Sequence, residues 1–429
     1  MKGETRIGKQ DSEVARIVVL GAGYGGLRTA LEVDRRLRAS HCAEIILVDQ
    51  YDYHHLITKL HEVMAASIQP QAARIPLARI LRGKAIKFLK ARVQGFRFGD
   101  QQVITSVGDV PYDYLVIALG SETDFFGVLG AEKYSLTLKS LDDALRIRAH
   151  IERMFKVAGS ESRADRRKAM LTLVVSGGGF TGIEVAGELS DWLPELARDH
   201  NVDVSEVQLL VVEAGPSIMA GFPPRLVAQA QRILTRKRVG IKVSDPIIRV
   251  DDGSVELGSG ERIAAGTVIW AGGVRTTDVV AKSGLQTGVR GRIVVNPFLE
   301  TAAYTGVYVV GDAALILDPK TGRPLAPSAQ WAVQQASCAA RNICADVKGR
   351  MRVRYIPKAL GEVVSLGRTQ GLASLAGIEF DGRLAIILKE MTVLRYLYMV
   401  GGVSLLWEYL EQTSDSLTWF RKLMSLKVG

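Results

Sequence analysis

Cysteine is scarce in this sequence: Cys42, Cys338 and Cys344 are the only three in 429 residues. They form neither a C-x-x-C nor a C-x4-C pair, which excludes a dithiol redox centre and a zinc knuckle. An odd count also argues against a disulfide framework, so a reducing compartment is expected. Histidine is nearly as rare, and the local group His54, His55 and His61 has no pair at the i, i+3 or i, i+4 spacing that aligns metal ligands on a helix. We read that stretch as a polar loop entering a helix at Leu56 and expect no metal. The first 16 residues have no apolar core and carry Glu4, Asp11 and Glu13, which fits neither a secretory signal nor a transit peptide. Long uncharged apolar runs are missing too. The most apolar stretch, Leu384 to Leu406, is broken by Lys389, Glu390 and Arg395, so it does not read as a membrane span.

What is present suits a folded α/β protein. The apolar fraction is 47% and there are 43 glycines, enough for two or three domains rich in turns. A net charge of +10 fits nucleic acid or an anionic membrane surface equally well. No zinc spacing, aromatic RNA-binding strand or sustained basic helix accompanies it, so the membrane is preferred and nucleic acid is not expected. The basic stretch Arg79 to Arg92 reads as a solvated face, with lipid or substrate steering as the alternative.

Residues 17–26 read IVVLGAGYGG. An apolar strand runs into G-x-G-x-x-G, formed by Gly21, Gly23 and Gly26, and a helix follows with Leu27, Ala30 and Leu31 inward. The first glycine serves the tight turn, the second lets backbone approach a pyrophosphate, and the third lets helix and strand pack closely. The next strand, EIILVD, ends at Asp49, farther along than the ~20 positions usual for this fingerprint but suited to an adenosine ribose. The strand Tyr114–Leu119 ends at Gly120, where a flat cofactor or a crossing chain could pass. Ser140 to Phe155 reads as an amphipathic helix, and 159–168 as an exposed polar joint.

The pattern then returns. Residues 171–188 read LTLVVSGGGFTGIEVAGE, a strand, then Gly177, Gly179 and Gly182, then a helix, and the following strand ends at Glu213. Two such units imply two dinucleotides, and one FAD with one NAD is the economical pairing. Glu213 would repel a 2′-phosphate, which favours NADH over NADPH. Thr267–Val274 is another strand ending in glycines. VYVVGD ends at Gly311–Asp312, where a carboxylate can hold a ribityl hydroxyl. In PSAQWAVQQ, a helix starts at Pro327–Ser328 and sets Gln330 and Gln334 on one face, either as surface amides or as a polar edge toward a redox ring. In the apolar tail, periodicity groups Ile386, Ile387, Met391, Leu394, Leu397 and Tyr398. A second stretch puts Trp419 and Phe420 beside Arg421, Lys422 and Lys427, the pattern of an in-plane interfacial anchor. The alternative is a helix pair packed in a dimer interface or against the body.

With both fingerprints, the G-D pair and AQWAVQ (329–334), the chain resembles the type II NADH:quinone oxidoreductases, single-subunit, non-proton-pumping members of the two-dinucleotide-binding-domain flavoproteins. VSLGR (364–368) is similar to that family as well. The resemblance implies an α/β fold of two Rossmann-like domains, the second inserted into the first, with C-terminal amphipathic helices. The implied boundaries are 1–122 and 286–375 for FAD, 123–285 for NADH and 376–429 for membrane association. It implies that Gly21, Gly23, Gly26, Asp49, Lys59, Val93, Gly120, Gly311, Asp312 and Gln330 contact FAD, and that Gly177, Gly179, Gly182, Glu213 and Gly273 contact NADH. Glu184 is implied as an acid at the nicotinamide–flavin junction or a proton relay, a capping acid in the first helical turn being the alternative, and Gln330 and Gln334 as the quinone end. Thr58–Lys59 departs from the Pro-Leu pair usual near the flavin. The implied partners are a membrane quinone and an anionic surface on the cytoplasmic face of the cell membrane or another energy-transducing membrane, with a homodimer as an option. A sulfide:quinone oxidoreductase, a reductase of a protein acceptor and a nucleotide-sensing membrane protein are the rival readings.

Overall fold

The computed structural model describes residues 14–413. The amphipathic stretch carrying Trp419, Phe420, Arg421, Lys422 and Lys427 lies outside the described residues, as does the charged segment 1–13. Two compact units are formed, each from three pieces of chain.

The first unit comprises residues 14–53, Leu77–Ser121 and Arg275–Pro357. Its core is a five-stranded parallel sheet in the order Val307–Val309, Tyr114–Ile117, Ala15–Leu20, Ala43–Asp49, Ile86–Lys90. The central strand pairs on both sides, Val18 lying opposite Ile46 and Leu115. Ile17, Val18, Val19 and Leu20 are wholly buried, as a parallel strand covered on both faces requires. The helix Tyr24–Leu37 follows at once and packs on the helix Ala329–Val347. The two strands expected between Ala91 and Ser106 form as Val93–Arg97 and Gln102–Thr105, and a third, Gly108–Pro111, joins them in an antiparallel sheet.

The second unit comprises His54–Pro76, Glu122–Val274 and residues 358–413. It repeats the sheet: Leu136–Thr137, Thr267–Trp270, Thr172–Ser176, Gln208–Val212, Val239–Lys242, all parallel. The central strand again leads into a glycine loop and a helix, Phe180–Asp199. The helix Leu141–Ala158 opens with a reciprocal cap, in which Ser140 Oγ accepts from the Asp143 amide and Asp143 accepts from the Ser140 amide. The joint at 159–168 is shorter than expected, because a helix starts at Ala164 and runs to Met170.

These units divide the chain differently from the expected boundaries. Residues 54–76 and 358–375 belong with the second dinucleotide unit, and so does the helix Arg383–Gln412. Packing explains the grouping. The short helix Leu60–Met64 rests on the helices Leu141–Ala158 and Phe180–Asp199. A Cβ at Gly187 would fall 2.5 Å from the Gly367 amide, so the absent side chain lets the strand Glu362–Ser365 and its turn lie directly on helix Phe180–Asp199.

Helix Arg383–Gln412 bends at Gly402, whose φ of +69° no other residue adopts cheaply. Its faces also correct the expected grouping. Leu394 and Leu397 are buried, whereas Met391 and Tyr398 stand on the exposed side with Leu384. No helix among the described residues is long and apolar enough to cross a membrane.

Candidate functional site

In each unit, the three glycines do three separable things. Gly21 and Gly177 have φ of +95° and +99°, and a Cβ there would strike the Ala118 carbonyl at 2.4 Å or Gly272 Cα at 2.6 Å. The strands that end at Gly120 and Gly273 therefore pass directly against their own glycine loops. Gly26 and Gly182 sit over the carbonyls of Gly21 and Gly177, which a Cβ would meet at 1.8 and 1.9 Å. Gly23 and Gly179 differ, since a Cβ on either would meet nothing within 4 Å. Those two positions face open space at the start of a helix.

Both helices begin without a side-chain cap and without an acid in the first turn. The helices at Leu141 and Ala329 are capped by Ser140 and Ser328. Uncapped amides beside an open glycine form a cradle for an anionic ligand. The strand-end acids complete each loop. Asp49 accepts from the amides of Ala22 (2.6 Å) and Tyr51 (2.8 Å), and Glu213 accepts from those of Gly178 and Gly215, both at 2.6 Å. Burial pushes the Asp49 carboxyl up, against the pull of those amide bonds. The residues present thus fit a dinucleotide in each unit.

Further along the first unit, Ser121 Oγ donates to Asp312 at 2.7 Å. The Gly311 amide donates to Gln335 at 2.6 Å. Gln335 is buried and holds the Gly311 turn, a role that sequence reading did not assign. Gln330 and Gln334 are half-buried, one turn apart on the same helix. Val93 opens its strand opposite Thr105 and, being apolar, offers a cofactor only its backbone and methyl surface.

Lys59 requires a correction. It lies in the second unit, fully buried, and its ammonium donates to Glu62 Oε1 and Oε2 at 2.9 and 3.1 Å and to Glu390. All three donors are committed to carboxylates, so the ammonium has none left for a flavin. Burial works against its proton, but those carboxylates hold its pKa well above the ordinary lysine value. The polar loop expected around the histidines is likewise a buried structural segment. His54 and His61 are both buried, and His54 Nε2 shares a hydrogen bond with the Tyr396 hydroxyl at 3.1 Å.

His61 leads to a buried polar cluster of the second unit. Lys389 donates to Glu184 at 2.8 Å, to Ser365 Oγ at 2.6 Å and to His61 Nε2 at 2.9 Å. Acceptance at Nε2 leaves the proton of the neutral ring on Nδ1, which lies 3.9 Å from Glu184. Burial, then the Lys389 and Lys59 charges, keep His61 well below its usual pKa and therefore neutral. Glu184 stands in the second turn of its helix, with its carboxylate on Lys389 and the Ser365 amide (3.3 Å), so it is not a first-turn cap. Of this cluster only Glu184 was expected. The available signal was Lys389 and Glu390 interrupting an apolar helix, since charges at such positions are stable only when paired.

The two cysteines of helix Ala329–Val347 carry no reactive thiolate signature. Burial pushes Cys338 and Cys344 up to about 11, which disfavours sulfide chemistry.

Residues 15–336 match the pyridine nucleotide-disulphide oxidoreductase family. A type II NADH:quinone oxidoreductase of Staphylococcus saprophyticus is 32% identical over 393 residues, 91% of this chain and 97% of the relative. The Staphylococcus aureus protein of the same name is 32% identical over 394 residues, with the same coverage. Among solved structures, NDH2 from Plasmodium falciparum in complex with NADH superposes with a TM-score of 0.82 at 19% identity, over 94% of this chain and 98% of that one. The sulfide:quinone oxidoreductase from Aquifex aeolicus gives 0.74 at 19% identity over 90% and 91%. At those identities the structural likeness speaks for the fold, while the two staphylococcal relatives and the family match decide membership. The chain belongs to the pyridine nucleotide-disulphide oxidoreductases and, within them, to the type II NADH:quinone oxidoreductases.

Proposed function

We propose that this protein passes electrons from NADH through FAD to a membrane quinone, without pumping protons, at the cytoplasmic face of the membrane. The observation that carries the reading is the duplicated glycine cradle, whose second copy starts the helix bearing Glu184, which pairs with Lys389 of helix Arg383–Gln412. When bound, FAD would supply the two-electron redox chemistry that links NADH to the quinone.

The chain's own residues bind, orient and supply protons. Gly21, Gly23 and Gly26 hold the pyrophosphate of FAD, Asp49 its adenosine ribose, and Gly311–Asp312 the ribityl side. Gly177, Gly179 and Gly182 hold NADH, and Glu213 selects against a 2′-phosphate by like-charge repulsion. Reducing a quinone to a quinol consumes two protons. Lys389, held on three acceptors, is positioned to give one up, with Glu184 beside it as the acid that shares the load. Gln330 and Gln334 line the quinone end.

Attachment to an anionic membrane surface rests on the net charge of +10 and on Leu384, Met391 and Tyr398, which recur every seven residues on the exposed face of helix Arg383–Gln412. A homodimer through the same face is the competing occupant.

The test is spectroscopic. Purified protein loaded with FAD should lose its visible flavin band on adding NADH and regain it on adding a quinone analogue. Bleaching without recovery would sink the quinone step and favour a protein acceptor or a sensor.

A further inference from the structure

The buried cluster of the second unit holds more acid than base. Four carboxyl groups meet there, Glu62, Glu184, Glu188 and Glu390, with the ammonium groups of Lys59 and Lys389. At its rim, Asp191 pairs with Lys237 and Glu195 with Arg368, so those charges cancel among themselves. Tyr409, whose hydroxyl donates to Glu390 at 3.4 Å, adds no charge, and His61 is neutral. Were every carboxyl ionised, two negative charges would stand unbalanced among side chains that are almost wholly removed from water. Uncompensated buried charge is costly enough that such groups take up protons instead. The cluster therefore stores protons at rest.

Geometry indicates which acids carry them. Glu184 and Glu390 each have a lysine ammonium in direct contact. Glu188 has none, and Ser67 Oγ donates to it at 2.5 Å. Burial and the charge of Glu62 push Glu188 up to about 7, with Asp191 adding to that and Ser67 and Lys389 opposing it. Burial also raises Glu62, helped by Glu390 and opposed by Lys59 and Lys389. Glu62 Oε1 lies 4.0 Å from Lys389 Nζ and 3.7 Å from His61 Nε2, gaps that a small side-chain shift or one water closes. Ser67 reaches the surface side, where the exposed Arg368 donates to its Oγ at 3.2 Å.

We infer that Glu188 and Glu62 form a proton reservoir behind the Glu184–Lys389 pair, loaded from solvent through Ser67. The inference rests on the quinone-reducing reading above. Each turnover adds two electrons and two protons to the quinone; the hydride of NADH accounts for both electrons and one proton, and solvent supplies the other. A proton that leaves Lys389 is replaced from Glu62, Glu62 from Glu188, and Glu188 from water at Ser67, so the cluster regains its charge with no net change.

The experiment uses FAD-loaded enzyme and two readouts. Infrared spectra of the resting protein, without NADH or quinone, should show a protonated-carboxyl band that fades as pH rises through about 7 and is diminished in Glu188→Gln. Glu188→Gln should also lower quinone turnover by about tenfold at pH 8, a loss on the scale of one misplaced acid–base group, with a smaller loss at pH 6 and unchanged flavin reduction by NADH. Ser67→Ala, which leaves every charge in place, should slow turnover in the same pH-dependent way and increase the solvent isotope effect. A carboxyl band that is identical in wild type, Glu188→Gln and Glu62→Gln would overturn the reservoir, as would a Ser67→Ala profile parallel to wild type. Failure of wild-type quinone turnover with the band intact would strike the functional reading instead.

Discussion

The Lys389 ammonium lies 2.8 Å from the Glu184 carboxylate, tying helix Arg383–Gln412 to the second turn of the helix that starts at the second glycine loop. The pair is almost fully buried, with side chains 9% and 15% exposed. A buried pair of this kind adds little net stability by itself, but removing one partner leaves the other charge stranded.

Lys389→Met is therefore expected to cost stability by about 3–5 kcal/mol and to lower quinone turnover by about 10² or more. NADH should still reduce the bound flavin, because hydride transfer needs no side-chain proton. Stopped-flow flavin reduction measured beside steady-state quinone reduction separates the two. Equal losses in both would mean that Lys389 only holds the fold.

The glycines of each loop should split into two classes. At Gly26 or Gly182, an added methyl group would meet a carbonyl at under 2 Å, so alanine there should prevent the loop from closing and abolish soluble, folded protein. Gly23→Ala and Gly179→Ala meet open space and should fold normally while binding dinucleotide more weakly, because the methyl fills the room the pyrophosphate needs. Thermal melting with and without FAD or NADH distinguishes these outcomes. Undiminished FAD binding by Gly23→Ala would exclude the first cradle as the FAD site.

Glu188 links stability to pH in a predictable direction. Its folded value of about 7 lies above the ordinary 4.5, so the folded state holds this proton more tightly than the unfolded chain. The resulting stabilisation is complete below about 4.5 and is lost as pH rises through about 7. Relative to Glu188→Gln, wild type should lose up to about 3 kcal/mol between pH 5 and pH 8. Urea unfolding across that range checks it, and parallel curves would refute the buried acid.

Lys59 compensates two buried acids at once. Lys59→Met should destabilise by about 3–5 kcal/mol through stranding Glu62 and Glu390. Adding Glu390→Gln should restore more than half of that loss. If the double variant is no more stable than the single one, the lysine contributes by packing its stem and not by charge.

Local chemistry made much of the architecture legible in advance. Gly21–Gly26 and Gly177–Gly182, their apolar strands and the acids Asp49 and Glu213 follow one another within short stretches, so turn, strand and helix preferences act together and tertiary context has little to override. Ser140 similarly announces its helix through a cap three residues long. The Gln330–Gln334 pair was visible because helical spacing alone puts both amides on one face. Gln335, which holds the Gly311 turn, was missed because no motif or helical period ties an amide in that helix to the turn.

By itself the sequence determined that two dinucleotide loops exist, where each begins and which acid closes it, because strand, glycine loop, helix and acid-ended strand follow in a fixed order. Only the tertiary structure decided what the charges in the tail do. Lys389 and Glu390 read as interruptions of an apolar helix, yet they turn inward to meet Glu184, His61, Ser365 and Lys59, residues drawn from three other segments. No period or motif encodes that meeting. It arises because burying a charge is tolerable only beside its opposite, and the opposites reach one place only when the chain has folded.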